Sequence, residues 1–278
     1  MPAFRLLESA FLKEALPGLV AGFSTDHPPV SDSDLNRSFL SALQNFTLQN
    51  TTLHNSRRTG SLPGVLLAQY HSAEILHWPG LNKPEREGFY ASEEGHSALA
   101  YDGAATHVED PAWLMVKTAD CVPLLLIDPD TRHYAALHAG WRGTAQGILP
   151  RLLSSWKKQG SSLSGVRMEL GPHIRACCYE VGQDCLDQFS HEALKHGAVP
   201  VNGGHHLNLG AVLSQQAIDL GVAAANIQVS DQCTRCTMDE SGVHPFASYR
   251  RTLHQLKGQD SKGKTGRNVA FFGIVQSA

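Results

Sequence analysis

A β-hairpin predicted between residues 117 and 144 constrains the fold more than any other part of the sequence. Two apolar runs, at 122–127 and 134–139, flank a turn centred on Pro129 and Asp130. Proline presets the first central position of such a turn. If the turn is symmetric about these two residues, Cys121 lies directly opposite His138. Opposed side chains lie about 5 Å apart on one face of a sheet, so the pair predicts a shared metal ion or a Cys–His nucleophile.

This prediction depends on the length of the turn. A loop of two or four residues keeps Cys121 and His138 on one face of the sheet, whereas a loop of three residues places them on opposite faces. The alternative is a buried cysteine that acts as a small hydrophobic residue beside a histidine bonded to the backbone. Both strands carry apolar residues on both faces, so other elements must cover both sides of the hairpin.

Apolar periodicity predicts further elements on either side of the hairpin. Helices are predicted at 31–49, 144–158, 179–194 and 208–220, the last beginning at Asn208 and ending at Gly221. Strands are predicted at 19–24, 64–70, 113–118, 166–170, 227–230 and 268–275. No linker divides the sequence. We therefore expect one domain over residues 1–278 with an α/β (α+β) fold, in which stacked mixed sheets are covered by helices.

Composition excludes several classes of partner. The 278 residues carry a formal net charge of −3, which gives no electrostatic reason to expect nucleic acid or an anionic membrane. No apolar run approaches the ~20 residues of a membrane helix. Charged residues punctuate the first 14 positions, which argues against a secretory signal. We expect a cytoplasmic protein; its oligomeric state is not indicated.

Three common enzyme classes are also disfavoured by their missing motifs. The sequence contains no Gly-x-Ser-x-Gly elbow, no phosphate-binding P-loop and no Gly-x-Gly-x-x-Gly. The commonest hydrolase, NTPase and dehydrogenase interpretations therefore do not apply.

Several other residues are candidates for the same site. His71 follows a predicted strand and is a candidate third ligand, and Asp120 is a polar residue beside an apolar strand. Glycines bracket Trp141-Arg142 before a helix, a pattern typical of an anion cradle to which Arg142 would add charge, or of a simple turn. His173 and Arg267 each lie in a further cluster of glycine and polar residues, and they are candidates for the same pocket.

The remaining cysteines are interpreted as structural. Cys233 and Cys236 have the Cys-x-x-Cys spacing of a redox or zinc pair, but the sequence has no second such pair and no thioredoxin-like context. Cys177 and Cys178 are adjacent in sequence. The cysteines are too sparse for a disulfide scaffold, so we expect them to be reduced.

A series of short motifs resembles one known family. They are Gln-Tyr-His (69–71), Asp-Gly-Ala-Ala-Thr (102–106), Thr-Ala-Asp-Cys-Val-Pro (118–123), His-Ala-Gly-Trp-Arg-Gly-Thr (138–144), Leu-Gly-Pro (170–172), Cys-Tyr-Glu-Val-Gly (178–182), Ser-Tyr-Arg-Arg (248–251) and Thr-Gly-Arg (265–267). In this order they closely resemble the YfiH-like family, whose members are often labelled laccase-domain or polyphenol oxidase proteins. The resemblance is strongest over residues 65–278, and residues 1–60 are divergent.

The resemblance implies a mixed α/β fold of stacked sheets, similar to the catalytic domain of a bacterial cytotoxic necrotizing factor. It also implies a zinc site made by His71, Cys121 and His138. Zinc is expected in preference to copper, because a laccase needs many histidines in His-x-His pairs and the sequence has none. Three protein ligands leave zinc one open position. Water bound there would have a pKa lowered to about 7 and would give a hydroxide that could attack C6 of adenosine.

The activities implied by the resemblance are phosphorolysis of purine nucleosides and deamination of adenosine. Phosphate would bind at the Arg142 turn, with His173, Arg250 and Arg267 as further contacts, and Asp120 would relay a proton. The alternatives are editing of peptidoglycan precursors with Cys121 as the nucleophile, a copper phenol oxidase, and a binding protein with a relic site.

Two positions depart from the family pattern. Asp26 stands where relatives carry an arginine, and His173 stands where many carry cysteine. Both departures bear on which substrate the protein binds more than on whether it binds a metal.

Overall fold

The structure, a computed structural model, describes residues 6–25, 43, 64–79, 101–201, 204–257 and 263–274. Asp26 and the helix predicted at 31–49 lie outside the described residues, apart from Leu43, which is helical and buried.

The described strands form three sheets in a mixed α/β fold. The first sheet has five strands in the order β1 (Leu6–Glu8), β2 (Leu19–Ser24), β14 (Asn268–Ile274), β6 (Trp113–Thr118) and β3 (Gly64–Leu66). The second has six strands in the order β13 (Ile227–Val229), β9 (Arg167–Leu170), β7 (Val122–Asp128), β8 (His133–Ala139), β5 (Gly103–His107) and β4 (Ile75–His77). The third has three strands in the order β10 (Glu180–Val181), β12 (Gly204–Leu207) and β11 (Ala198–Val201). The pairs β3–β6, β4–β5 and β9–β13 are parallel, and the other pairs are antiparallel.

Seven α-helices are described, and the longest two cover the six-stranded sheet. They are α1 (Ala10–Lys13), α2 (Trp141–Ala145), α3 (Ile148–Lys158), α4 (Gln183–Leu186), α5 (His191–Gly197), α6 (Leu209–Leu220) and α7 (Tyr249–Leu256). Helix α6 begins at the predicted cap: the Asn208 side chain accepts a hydrogen bond from the Ala211 N–H at 3.0 Å. It ends at Gly221, whose φ of 111° suits glycine. None of the described helices is long and apolar enough to cross a bilayer.

Strand β7 is buried on both faces, as the sequence predicts. Leu124 and Leu126 contribute to a core shared with α3 and α6. Leu125 and Ile127 contribute to a second core shared with the five-stranded sheet, where Phe272 also lies. The central hairpin is therefore sandwiched between a helical layer and a second sheet. This arrangement explains its continuous apolar runs.

The hairpin register differs from the prediction by two residues. Asp128 pairs with His133, and His138 pairs with Pro123 rather than lying opposite Cys121. The reason is the loop, which has four residues at 129–132 rather than two. The Asp128 carboxylate holds this loop by accepting hydrogen bonds from the Asp130 N–H at 3.0 Å and the Thr131 hydroxyl at 2.6 Å. An even shift preserves the face of the sheet, so Cys121 and His138 still converge.

The single helix predicted at 179–194 is wrong. This segment contains strand β10 and then helices α4 and α5. Gly182 precedes α4 with an extended backbone, and Ser190 caps α5 by accepting a hydrogen bond from the Ala193 N–H at 3.2 Å. Two separate helices therefore begin in the segment for which the apolar pattern predicts one continuous helix.

Candidate metal centre

Three side chains from separate elements converge at one end of the central hairpin. His71 lies in the loop after β3, Cys121 lies directly before β7, and His138 lies on β8. Their ligand atoms all lie within 4.8 Å of one another. The two imidazole centroids are 5.0 Å apart with an interplanar angle of 71°. His138 is buried, Cys121 is half-buried and His71 is exposed, so the group is open to solvent on the His71 side.

Asp102 holds both histidines. Its Oδ1 atom lies 2.7 Å from Nδ1 of His138, which leaves the Nε2 atom of that ring free to face Cys121 and His71. The same carboxylate accepts hydrogen bonds from the backbone N–H groups of Tyr70, His71 and Ser72 at 3.2, 3.0 and 2.6 Å. These bonds hold His71 at a φ of 61°, a conformation that a residue other than glycine seldom adopts.

The electrostatics of the group favour a thiolate. Burial alone would raise the pKa of Cys121, but the charges of His138 and His71 and their hydrogen bonds lower it to about 6. Burial likewise works against a charged His138, but the Cys121 thiolate and the Asp102 carboxylate raise its pKa to about 9. Burial opposes the charge of Asp102 too, yet hydrogen bonds from His138 and Ser72 lower its pKa. A thiolate beside imidazole nitrogens is a donor set that suits zinc.

The glycines around Trp141 are required by close packing against this group. A Cβ atom on Gly140 would lie 2.9 Å from Cδ2 of His71 and 3.0 Å from Sγ of Cys121. A Cβ atom on Gly143 would lie 2.6 Å from the carbonyl oxygen of Ser72. The first turn of α2 therefore packs so closely against the loop that carries His71 that only glycine fits at these two positions. The two glycines are explained by this contact, whether or not an anion binds beside them.

Arg142 is exposed and is the second residue of α2. Its guanidinium lies 4.2 Å from the ring centroid of Trp141. Burial raises the pKa of the Cys185 thiol and the charge of Arg142 lowers it, so that thiol lies close to the guanidinium, which faces solvent.

Asp120 directly precedes the cysteine ligand, but its carboxylate is bonded away from the metal group. It accepts hydrogen bonds from the Thr234 hydroxyl and the Arg250 N–H, both at 2.7 Å. Its carbonyl oxygen accepts a hydrogen bond from the Ile174 N–H at 2.9 Å. Asp120 therefore ties the start of β7 to three other segments, and its φ is 104°.

The other three predicted contacts lie further out. The Arg250 guanidinium donates two hydrogen bonds to the Glu180 carbonyl oxygen, each at 3.0 Å, and lines a cavity of about 370 Å³. His173 is buried, and its Nδ1 atom lies 2.7 Å from the Gly171 carbonyl oxygen. Arg267 donates to carbonyl groups of its own turn, at Thr265 and Gly266. The structure thus gathers the three ligands tightly, whereas these three residues are bonded to backbone carbonyl groups.

Two residues of the site have no role in the sequence prediction. The first is Asp102; the sequence feature that could have pointed to it is its position directly before a strand of small residues. The second is Tyr179, which is half-buried. Burial and the nearby Cys121 charge both raise its pKa. Neither residue could be placed beside the ligands without the tertiary structure.

Comparison with known proteins identifies the family of the chain. The family model described as multi-copper polyphenol oxidoreductase laccase matches residues 32–275. The chain belongs to this family.

Curated relatives of this laccase-like family carry names from purine metabolism. The purine nucleoside phosphorylase YlmD of Bacillus subtilis is 29% identical over 272 residues, covering 93% of this chain and 90% of that protein. The adenosine deaminase RL5, from an unknown prokaryotic organism, is 37% identical over 125 residues. That match spans 44% of this chain and 48% of the relative.

Solved structures of the same family share the fold. The hypothetical protein YfiH of Bacillus licheniformis superposes with a TM-score of 0.71 at 25% identity, covering 99% of this chain and all of that one. YlmD of Geobacillus stearothermophilus gives a TM-score of 0.67 at 24% identity, with 94% of each chain covered. The resemblance to the YfiH-like family and the mixed α/β fold expected from it are both confirmed.

Proposed function

We propose that this chain is a zinc-dependent enzyme that phosphorolyses purine nucleosides and deaminates adenosine. The convergence of His71, Cys121 and His138 within 4.8 Å is the observation that carries the proposal. The names of the relatives, which include a purine nucleoside phosphorylase and an adenosine deaminase, support the choice of substrate.

The donor set fits zinc. One thiolate and two imidazoles are ligands that zinc accepts, and a site with three protein ligands is typical of catalytic zinc. Zinc bound there would supply a Lewis acid with one open coordination position. His71 is exposed, so a substrate would reach the three ligands from that side.

The surrounding residues have distinct proposed roles. Asp102 orients His138 and the His71 loop, so it is a positioning residue. Arg142 is the best-placed contact for phosphate, because it is exposed and projects from the helix that packs against the ligands through Gly140. Asp120 keeps the start of β7 in place through its own hydrogen bonds, and a role in proton transfer is a further proposal.

Arg250, His173 and Arg267 are proposed as outer contacts for the substrate. Each is bonded to backbone carbonyl groups in this structure. His173 is buried, whereas Arg250 and Arg267 are half-buried. Arg250 also lines the 370 Å³ cavity, which is bordered by Cys177 and Cys178 and not by the three metal ligands.

The two reactions have simple balances. In phosphorolysis a phosphate oxygen forms a bond to C1′ of the ribose, the bond from C1′ to the purine nitrogen breaks, and the base leaves with a proton. In deamination a water oxygen replaces the 6-amino group, and ammonia leaves. A cation that holds phosphate serves the first reaction alone, so the two activities are separable at Arg142.

The test is an assay of zinc-loaded protein with adenosine, inosine and guanosine, each with and without phosphate. We expect hypoxanthine and ribose 1-phosphate from inosine only when phosphate is present, and inosine with ammonia from adenosine without it. Arg142→Ala should lower phosphorolysis and leave deamination nearly unchanged. Protein with full metal content that converts none of these nucleosides would contradict the proposal.

A second candidate function rests on the Cys121–His138–Asp102 geometry. A cysteine with a lowered pKa beside a histidine oriented by a carboxylate is also the arrangement of a cysteine hydrolase. Its substrate would be an amide of a cell-wall precursor. Added zinc would inhibit such a hydrolase and activate the nucleoside enzyme, so one titration of activity with zinc separates the two functions.

A further inference from the structure

Four cysteines outside the candidate metal centre also converge. Cys177 and Cys178 lie in the loop between β9 and β10, whereas Cys233 and Cys236 lie in the loop after β13. Their four sulfur atoms all lie within 4.8 Å of one another. The adjacent pair at 177–178 therefore supplies the second half of a cluster that the Cys-x-x-Cys pair alone does not indicate.

The spacing of the sulfurs fits a tetrahedral ion. A zinc–sulfur distance of about 2.3 Å places two ligands of a tetrahedral site about 3.8 Å apart. The Sγ atoms of Cys177 and Cys236 are 3.7 Å apart. A disulfide would require about 2.05 Å between them. Four thiolates form a closed ligand set, which is typical of a structural zinc site.

Hydrogen bonds from three backbone N–H groups stabilise the Cys233 thiolate. The Arg175 N–H donates to the Cys233 sulfur at 3.5 Å, and the N–H groups of Arg235 and Cys236 point to the same atom. Burial alone would raise the pKa of Cys233, but these donors lower it. Burial and the neighbouring sulfurs raise the pKa values of Cys177 and Cys236, so these two thiols would lose their protons on binding the ion. The Arg235 side chain contacts Cys178. Four thiolates around Zn²⁺ carry a net charge of −2, and the guanidinium group of Arg235 offsets part of it.

The cluster has both a buried base and an open side. Cys178 and Cys233 are buried, whereas Cys177 and Cys236 are exposed. The buried pair fixes the geometry, and the exposed pair gives an ion a route into the site.

We propose that Cys177, Cys178, Cys233 and Cys236 bind one structural zinc ion, separate from the ion at His71, Cys121 and His138. All four cysteines bind as thiolates, so binding releases up to four protons to solvent. No redox change is involved.

This ion would support the neighbouring site through two short connections. Thr234 lies between Cys233 and Cys236, and its hydroxyl donates to the Asp120 carboxylate at 2.7 Å. Tyr179 directly follows Cys178 and contributes to the environment of Cys121. The zinc would therefore fix the two loops that hold the start of β7 and the wall beside Cys121.

Metal analysis of matched variants tests the proposal. We expect about two zinc ions per chain in the wild type, about one in His71→Ala and about one in Cys236→Ser. Cys185→Ser is the control, because Cys185 is a buried cysteine outside both clusters and should leave about two. The proposal requires neither activity nor substrate, so its outcome is independent of the nucleoside assay.

A spectroscopic measurement covers the case in which Cys236→Ser does not fold. X-ray absorption of zinc in the His71→Ala variant should show a shell of sulfur ligands alone, at about 2.3 Å. A folded His71→Ala protein that contains no zinc, with the four cysteines free to react or joined as disulfides, would overturn the proposal.

Discussion

The Nδ1 atom of His138 lies 2.7 Å from the Oδ1 atom of Asp102, and the same carboxylate caps the loop that carries His71. One buried side chain thus positions two of the three candidate ligands. An outer partner of this kind fixes the ring orientation and raises the basicity of the histidine.

Asp102→Asn should weaken metal binding without unfolding the protein. The amide keeps the shape of the side chain but loses the charge and part of its capacity to accept hydrogen bonds from the 70–72 loop. We expect a loss of roughly 10–100-fold in metal affinity, measured by competition with a chromophoric chelator. Asp128→Asn is the control, because this equally buried aspartate lies at the far end of β7 and bonds to the hairpin loop and Ser161. Equal metal affinity in both variants would show that Asp102 does not position the ligands.

Gly140→Ala should displace the metal ligands by contact alone. Gly140 has a φ of −74°, which alanine adopts without strain, but the added Cβ would lie 2.9 Å from the His71 ring. We expect metal affinity to fall by roughly 10–100-fold, as for the loss of an outer partner. Gly160→Ala is the opposite case. Its φ of 98° makes alanine strained, yet nothing lies within 4 Å of the new atom. Gly160→Ala should lower the melting temperature and leave metal affinity unchanged.

Thr234→Val tests whether Asp120 acts by position. The substitution removes the hydroxyl that donates to the Asp120 carboxylate and leaves the carboxylate in place. If Asp120 positions β7, Thr234→Val and Asp120→Asn should both lower kcat without moving the pH profile. If Asp120 transfers a proton, Asp120→Asn alone should remove one limb of that profile. Thr252→Val is the control, because that hydroxyl bonds within its own helix.

His173 should make the protein sensitive to acid. Burial lowers the pKa of His173 to about 4, from an unfolded value of 6.5. Between these values the unfolded chain binds a proton that the folded protein does not, so the contribution is complete above pH 6.5 and is lost as the pH falls towards 4. The loss is on the order of 3 kcal/mol.

Urea unfolding at several pH values checks this contribution. His173→Asn keeps a donor for the Gly171 carbonyl and removes the titrating ring. The variant should show a shallower loss of unfolding free energy between pH 6.5 and pH 4 than the wild type. Parallel curves for the two proteins would mean that His173 is not buried in its neutral form.

Elements with strong local signals could be predicted from the sequence. Strand Leu19–Ser24 has the predicted bounds, and the helix Leu209–Leu220 follows its predicted cap and ends at the predicted glycine. These outcomes depend on a few neighbouring residues. The convergence of Cys121 and His138 could also be predicted, because an even change in register preserves the face of a strand.

Features that depend on distant contacts could not be predicted in the same way. The hairpin register follows from the bonds that Asp128 makes to its loop, which no apolar pattern encodes. The role of Asp102 depends on a ring 36 residues away in sequence. The cysteine cluster joins Cys177 to Cys236 across 59 residues. Spacing along the chain carries no signal for such pairs.

Zinc content and inosine phosphorolysis, measured on the same preparations, test the central claim most directly. Cys121→Ala should lose about one zinc ion per chain, and its phosphorolysis should fall by roughly 100-fold or more. Cys185→Ala makes the same chemical change outside both clusters and should retain its zinc content. A folded Cys121→Ala protein with the zinc content and the phosphorolysis rate of the wild type would contradict the claim that this centre carries the nucleoside chemistry.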